Sequence, residues 1–438
     1  MKKLLFFILL FTFCFANVYV DSNVNEILDE DGKVSIIVMF KKEDVKSMRT
    51  SSENLEMKIQ NTISKTSIEN EKVRELNIIN GFSTEITKED LEELKNNPNV
   101  EGIYYDHPVY LLLDDSVPLI NADDVWPMQY NSKNITGQGQ TVCVIDTGVD
   151  YTHPDLGGCT QEQFLNRTCE KVIGGHDFVN TDFNPMDDHG HGTHCAGIIA
   201  STNSVYMGVA PDARIVAIKV LSSDGGGSLG DVAQGIQWCI NNKTTYNISV
   251  ISMSLGDDSV NGNYCNSDYL ASYIDLAVAN NITVVIATGN NAYPNYNASY
   301  NYDYISSPAC VESAIRVTAT DKSNLFANYA FRGGSSNDII AAPGSNIYST
   351  IPGGYSYSSG TSMATPHVAG VIALYNQYYY DKYGRYVSPS EIKQMLNDTG
   401  HIIYDFGSGK NYARVDAFEL FSANDGGVIE SISNVNSF

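Results

Sequence analysis

Hydrophobic positions set three different rhythms along this chain. At the N-terminus, Lys2 and Lys3 precede an apolar stretch over residues 4–15, closed by Ala16. A run that short, with a basic flank and a small residue at its end, predicts a signal peptide over 1–16 rather than a transmembrane helix. Residues 17–113 alternate strand-like runs at 34–40 and 78–86 with charged helical stretches at about 43–74 and 88–95. Thr87 with Asp90 three residues on predicts a helix start, and Pro98 closes that helix. The result is a small α+β domain that carries no cluster of catalytic residue types.

From about residue 120 the pattern changes. Short runs rich in Val and Ile, at 142–145, 214–220, 250–253, 283–287, 314–319 and 339–342, lack polar alternation. Strands of that kind are buried on both faces, as in a parallel sheet covered by helices. Helical spacing occupies the intervals 193–201, 230–241 and 268–280. The prediction is a doubly wound α/β domain over 114–420, followed by a short polar tail at 421–438. Ligands of such sheets bind at the carboxyl ends of the strands, which says where to search for chemistry.

Composition narrows the function classes. The 438 residues carry 27 Lys plus Arg against 51 Asp plus Glu, a net charge of -24. A nucleic-acid binder needs a basic face to displace counterions, and a polybasic membrane anchor needs one too, so neither partner is expected. Removal of residues 1–16 takes Cys14 away and leaves seven cysteines, at 143, 159, 169, 195, 239, 265 and 310. An odd count in an exported chain implies at least one free thiol or an intermolecular bond, with connectivity open. Cys159 and Cys169 flank a polar, turn-rich stretch suited to a staple, whereas Cys143 sits in an apolar run and reads as a buried strand residue. Seven N-x-S/T sequons, from Asn134 to Asn397, are acceptors if the host glycosylates. Nothing in the sequence suggests an oligomer, so a monomer is expected.

Three segments carry the candidate chemistry. Asp146 directly follows the 142–145 strand, and Thr147-Gly148 behind it permits a close backbone approach, a suitable place for a carboxylate that orients a histidine. His189, His191 and His194 fall within six positions of a glycine-rich helix start. Zinc is the competing explanation, but hydrolytic helical zinc sites want two histidines at i and i+4 with a glutamate base, which is missing here. Ser362 lies in the first turn of a helix that Pro366 confines to begin nearby, where the helix dipole favours an alkoxide or oxyanion. A plain capping role for Ser362 is the bland alternative.

The chain order Asp146, His191, Ser362 is that long known for subtilisin, distinct from the orders of chymotrypsin and the α/β-hydrolases. With the words His191-Gly-Thr-His-Cys195 and Gly360-Thr-Ser-Met-Ala-Thr-Pro-His367, the chain resembles the subtilisin-like serine proteases, nearest in wording to their proteinase K branch. The resemblance spans about 116–420 and implies an orienting carboxylate at Asp146, a general base at His191 and a nucleophile at Ser362. It implies Asn290 as the oxyanion asparagine, Ser254, Leu255 and Gly256 as the edge that pairs with extended peptide, and Ala287, Thr288 and Gly289 as the opposite pocket wall. Ile79 to Ser83 and Asn97 to Val100 resemble the inhibitory propeptide of this family, whose strand at about 109–113 is expected to fill the cleft before self-cleavage near Leu113. Protein or peptide substrates, an intramolecular inhibitor and a secreted location follow from the same resemblance.

The family likeness also bears on metals and bridges. Its chemistry needs no cofactor. His153-Pro154-Asp155-Leu156 matches a stretch whose aspartate can bind calcium, although the partner loop at 202–207 is shorter than in subtilisin, which weakens that expectation. Cys195 is expected to be free, with bridges at Cys159–Cys169 and Cys265–Cys310. The loops at 158–171 and 292–304 are expected to shape the cleft rim, and Asp303 to be a surface acid.

Overall fold

The computed structural model describes residues 18–21, 24–25, 28, 32–41, 51–76, 79–106, 116–257, 259–292, 302–333 and 338–425. The expected signal peptide, the strand at 109–113, most of the 292–304 loop and the tail from 426 lie outside them. The chain divides into two compact units, residues 1–111 and 112–438.

The first unit is the expected α+β domain. Its sheet runs β1 (Tyr19–Val20), β5 (Val100–Tyr105), β2 (Val34–Phe40), β4 (Gly81–Ile86), β3 (Arg74–Leu76), with β2 antiparallel to both β4 and β5. Helices Ser51–Ile63 and Lys88–Lys95 bury Leu55, Ile59, Leu91 and Leu94 against Ile36, Val38 and Phe82. Thr87 and Asp90 form a reciprocal capping box at the second helix, as the sequence predicted. The first helix is shorter than the 43–74 reading: it ends at Ile63, and Arg74–Leu76 is an edge strand. Asp90 is the reason, because its carboxylate accepts from the Ser67 N–H and hydroxyl at 2.7 and 2.9 Å and draws the chain off the helix axis.

The second unit is built on nine strands. A small hairpin, β6 (Gln129–Tyr130) with β7 (Lys133–Asn134), precedes them. The large sheet contains β8 (Thr141–Asp146), β9 (Val172–Asp177), β10 (Arg214–Lys219), β11 (Ile248–Met253), β12 (Thr283–Ala287), β13 (Ile315–Thr320), β14 (Ile339–Pro343), β17 (His401–Asp405) and β18 (Lys410–Arg414). Their order is β17-β18-β14-β13-β12-β11-β8-β10-β9, every pair parallel except β17 with β18. A separate hairpin, β15 (Ile347–Ile351) with β16 (Gly354–Ser358), precedes the long helix Thr361–Tyr383.

Alternation within β8 explains the layers. Val142 and Val144 join the core under helices His191–Ala200 and Thr361–Tyr383, while Cys143 and Ile145 join the core under helices Leu229–Asn241 and Ala271–Ala279. Both faces are dry, which is why the strands read as uninterrupted apolar runs. The same period carries Cys143 onto the face of Leu229–Asn241, where it is bonded to Cys239. Reading Cys143 as merely a buried strand residue missed that bridge; the expected Cys159–Cys169 and Cys265–Cys310 bridges are present, and Cys195 is free. The last helix, Ala417–Asp425, crosses the expected domain end at 420, with Phe421 fully buried against Tyr375 and Tyr378.

Candidate active site

After β8 the chain winds to β9 and β10 on one side of the sheet, then crosses to β11 and beyond on the other. That reversal opens a crevice at the carboxyl ends of β8 and β11. Asp146 is the last residue of β8, and Ser254 immediately follows β11. Two helices aim their N-termini at the crevice, one opening with His191 and the other with Thr361-Ser362.

Asp146 and His191 meet directly. His191 Nδ1 lies 2.7 Å from Asp146 Oδ1, which also accepts the Thr147 N–H at 2.7 Å. The carboxylate is 1% exposed and the imidazole 23%, so the charge is shielded while the ring still reaches the cleft. Burial alone lowers the imidazole pKa; the Asp146 charge and hydrogen bond outweigh it, and the net shift is upward from 6.5. Gly192 permits this closeness, since a Cβ there would stand 2.1 Å from Gly148 O and 3.1 Å from Asp146 Cβ.

Ser362 enters from the other helix. Its hydroxyl donates to Ser254 O at 3.2 Å, and its own carbonyl accepts from the Ser254 hydroxyl at 2.7 Å. That carbonyl is available because the residue four positions on is Pro366, which has no N–H to offer it. Asn290 sits beside the same turn. Its Oδ1 accepts the Thr361 N–H at 2.8 Å and the Thr361 hydroxyl at 3.0 Å, which makes the remaining amide group, Nδ2, the donor. From the His191 helix, the buried Cys195 thiol lies 3.5 Å from Ser362 O, and burial pushes its pKa well above the ordinary value.

His191, Ser254, Leu255, Gly256, Ala287, Gly289, Asn290 and Ser362 line one cleft of about 460 Å³. Thr288 departs from the expected wall. Its side chain is fully buried and donates to Phe331 O at 2.6 Å, so it braces the pocket from behind. No residue of 158–171 lines this cleft, and Asp303 pairs with Lys410 at 3.4 Å. Sequence reading missed Gly225, Gly226 and Gly227 on the far wall and Ser306 and Pro308 behind Gly289. A run of three glycines was the available signal for the first group; nothing local marked the second.

Asp187 was also missed, and it organises the site. Its Oδ1 accepts from the Thr147 hydroxyl, His189 N and Gly190 N at 2.9, 3.0 and 2.9 Å. Its Oδ2 accepts from Thr193 N and the Thr193 hydroxyl at 2.9 and 2.5 Å. The Thr147 hydroxyl in turn accepts from Gly192 N at 2.9 Å, tying the Asp146 turn to the His191 helix. The clue was an aspartate ahead of a helix whose N-cap, Gly190, has no side chain to cap with.

The metal alternatives fare poorly. His194 is buried, with Nε2 held by Ile347 O and Ser356 O at 3.1 Å each, so the three histidines do not converge. Asp146, His191 and Cys195 do come together, but the first two are bonded to each other and the thiol is held protonated. At the calcium position, Asp155 Oδ2 accepts from the Tyr355 hydroxyl and from Asn203 Nδ2. Calcium wants six to eight oxygens, and here two hydrogen-bond donors face the carboxylate oxygen instead.

A buried carboxylate oriented on an imidazole, next to a helix-start hydroxyl with an amide donor beside it, is the equipment of a serine hydrolase. Comparison with known proteins places it further. The subtilase family model matches residues 137–419, and the peptidase inhibitor I9 model matches residues 35–112. The chain belongs to the subtilase family and is a serine-type endopeptidase with an I9 propeptide domain. It is 34% identical over 360 residues to serine protease AprX of Bacillus subtilis (strain 168), covering 74% of each chain. It is 36% identical over 305 residues to subtilisin E of the same organism, covering 69% of this chain and 71% of that one. Among solved structures, a cold-adapted subtilisin-like serine proteinase matches with a TM-score of 0.52 and 34% identity, over 66% of this chain and 92% of that chain.

Proposed function

We propose that the protein is a secreted zymogen that cuts itself between its two units and then hydrolyses proteins through an acyl-enzyme. His191 takes the Ser362 proton, and Asp146 steadies the imidazolium that results. Ser362 Oγ attacks the peptide carbonyl, while Asn290 Nδ2 and the Ser362 N–H receive the oxyanion. His191 then protonates the leaving amine, and water, activated by the same imidazole, releases the acid. The substrate lies extended along Ser254-Leu255-Gly256, with one side chain entering between Gly256 and Ala287-Gly289. The observation that carries this reading is the 2.7 Å His191–Asp146 bond in a cleft shared with Ser362 and Asn290.

The test is intact mass of the purified protein beside a Ser362→Ala variant expressed identically. Loss of about the first hundred residues in the wild type alone, as the signal-plus-propeptide boundary requires, establishes self-processing and locates the cut. Identical masses refute it and favour either maturation by another protease or a peptide-binding role.

A further inference from the structure

Calcium binding is common in this family, yet the atoms around Asp155 describe a different fastening. Its Oδ2 accepts from the Tyr355 phenol and from Asn203 Nδ2, the latter at 3.1 Å, and Asn203 Nδ2 also reaches the Tyr355 oxygen at 3.0 Å. The orientation of Asn203 is fixed, because its Oδ1 accepts Val205 N and Tyr206 N at 2.8 and 3.0 Å. Flipping the amide would set its oxygen against a carboxylate and its NH2 against two N–H groups. Even the Asp155 carbonyl is engaged, accepting from Thr202 N at 3.0 Å and the Thr202 hydroxyl at 3.2 Å. Asp155 Oδ2, the Asp155 carbonyl and Asn203 Oδ1, three oxygens that a cation here would draw on, are all accepting hydrogen bonds.

The same three segments meet again through their rings. Tyr355 stands edge-on to His153 at 5.2 Å and stacks on Tyr348 at 5.6 Å, and Tyr206 closes on both tyrosines at 5.5 and 4.7 Å. His153 comes from beside Asp155, Tyr206 from the 202–207 loop, and Tyr348 and Tyr355 from the β15–β16 hairpin. That hairpin carries Ile347 O and Ser356 O, which hold His194 one turn along the His191 helix, and it leads directly into Gly360 and the Ser362 helix. Its residues Pro352, Ser356 and Tyr357 also wall a second cleft of about 460 Å³ on the other side of His191.

We infer that in this chain a phenol and an amide replace the cation. The Tyr355 hydroxyl and Asn203 clasp Asp155 to the hairpin that precedes Ser362, and this position takes no calcium. A charge-assisted hydrogen bond to a partly shielded carboxylate is strong enough for the task, and the tyrosine stack holds the phenol in line. Tyr355 therefore fastens the β15–β16 hairpin to the turn that carries Asp155. The inference concerns how the second unit is fastened and stands whether or not Ser362 is catalytic.

The test uses the full chain with Ser362→Ala, so that no self-digestion intervenes. Unfolding is followed by tryptophan fluorescence, since both tryptophans, Trp126 and Trp238, belong to the second unit. Tyr355→Phe keeps the stack and removes the hydroxyl; it is expected to lower the midpoint by about 3–8 °C in calcium and in EDTA alike. Tyr348→Phe, the ring control, is expected to leave it unchanged, and Asp155→Asn is expected to cost the same in both media. A calcium-induced rise in the midpoint that Asp155→Asn abolishes overturns the inference. So does a Tyr355→Phe protein that melts like Tyr348→Phe.

Discussion

Asp187→Asn is the most informative single change, because it alters one atom of a carboxylate that never touches substrate in the proposed mechanism. The aspartate accepts five hydrogen bonds, three on Oδ1 and two on Oδ2. An asparagine of the same shape must turn an NH2 toward one of these donor sets. Hydroxyls can rotate away, but backbone N–H groups cannot, so either Thr193 N or the His189–Gly190 pair loses its acceptor. Thr193 is fully buried, and Asp187 itself is 5% exposed, so water does not make good the loss. One unsatisfied buried donor costs about 1–3 kcal/mol, and loss of the charge at the helix start adds up to about 1 kcal/mol, giving roughly 1–4 kcal/mol in all. Urea unfolding in the Ser362→Ala background reads this as a lower midpoint at unchanged slope. In the otherwise active enzyme, kcat is expected to fall about tenfold or more with little change in KM, because slackening the Thr147–Gly192 link misplaces His191 against Asp146. A variant within about 0.5 kcal/mol of its parent, the ordinary range for surface changes, would refute the reasoning.

Two further outcomes follow from buried groups. His194 and His367 are both held neutral by burial, each with a pKa lowered to about 4 from 6.5. The unfolded chain binds these two protons first, so stability is complete above about pH 6.5 and is lost as pH falls toward 4, by about 3 kcal/mol per group. His191 shifts the other way, so the acid limb of activity is expected above pH 6.5; unfolding and kcat/KM measured from pH 4 to 8 separate the two, and a stability curve flat below 6.5 would exclude the first. Alkylation of signal-free protein is expected to label no thiol in the native state, one after unfolding and seven after reduction as well, these being Cys195 and the six residues of three bridges. A Cys143 or Cys239 peptide labelled without reduction would contradict the unexpected bridge.

The candidate site was legible in the sequence because its residues reside in short words at helix and strand ends. Asp146 ends a strand whose residues 142–145 are apolar because β8 is dry on both faces. Ser362 and His191 open helices whose punctuation, Pro366 and a run of glycines, is local. The same holds for the Thr87–Asp90 capping box and for the two bridges that close loops within one segment or one resemblance.

What only the tertiary structure decided depends on atoms distant in the chain. The Cys143–Cys239 bridge needs both the face on which a strand residue points and the helix that happens to cover it. Ala287 and Thr288 are adjacent in sequence yet lie at and behind the pocket wall, because side chains alternate at the end of β12. Asp187 gains its role from Thr147, forty residues earlier, and Asp155 gains its partner from Tyr355, two hundred residues later. A sequence states which groups are able to donate and accept; closure of the fold determines which of them meet, and here it placed a phenol where the family pattern pointed to a cation.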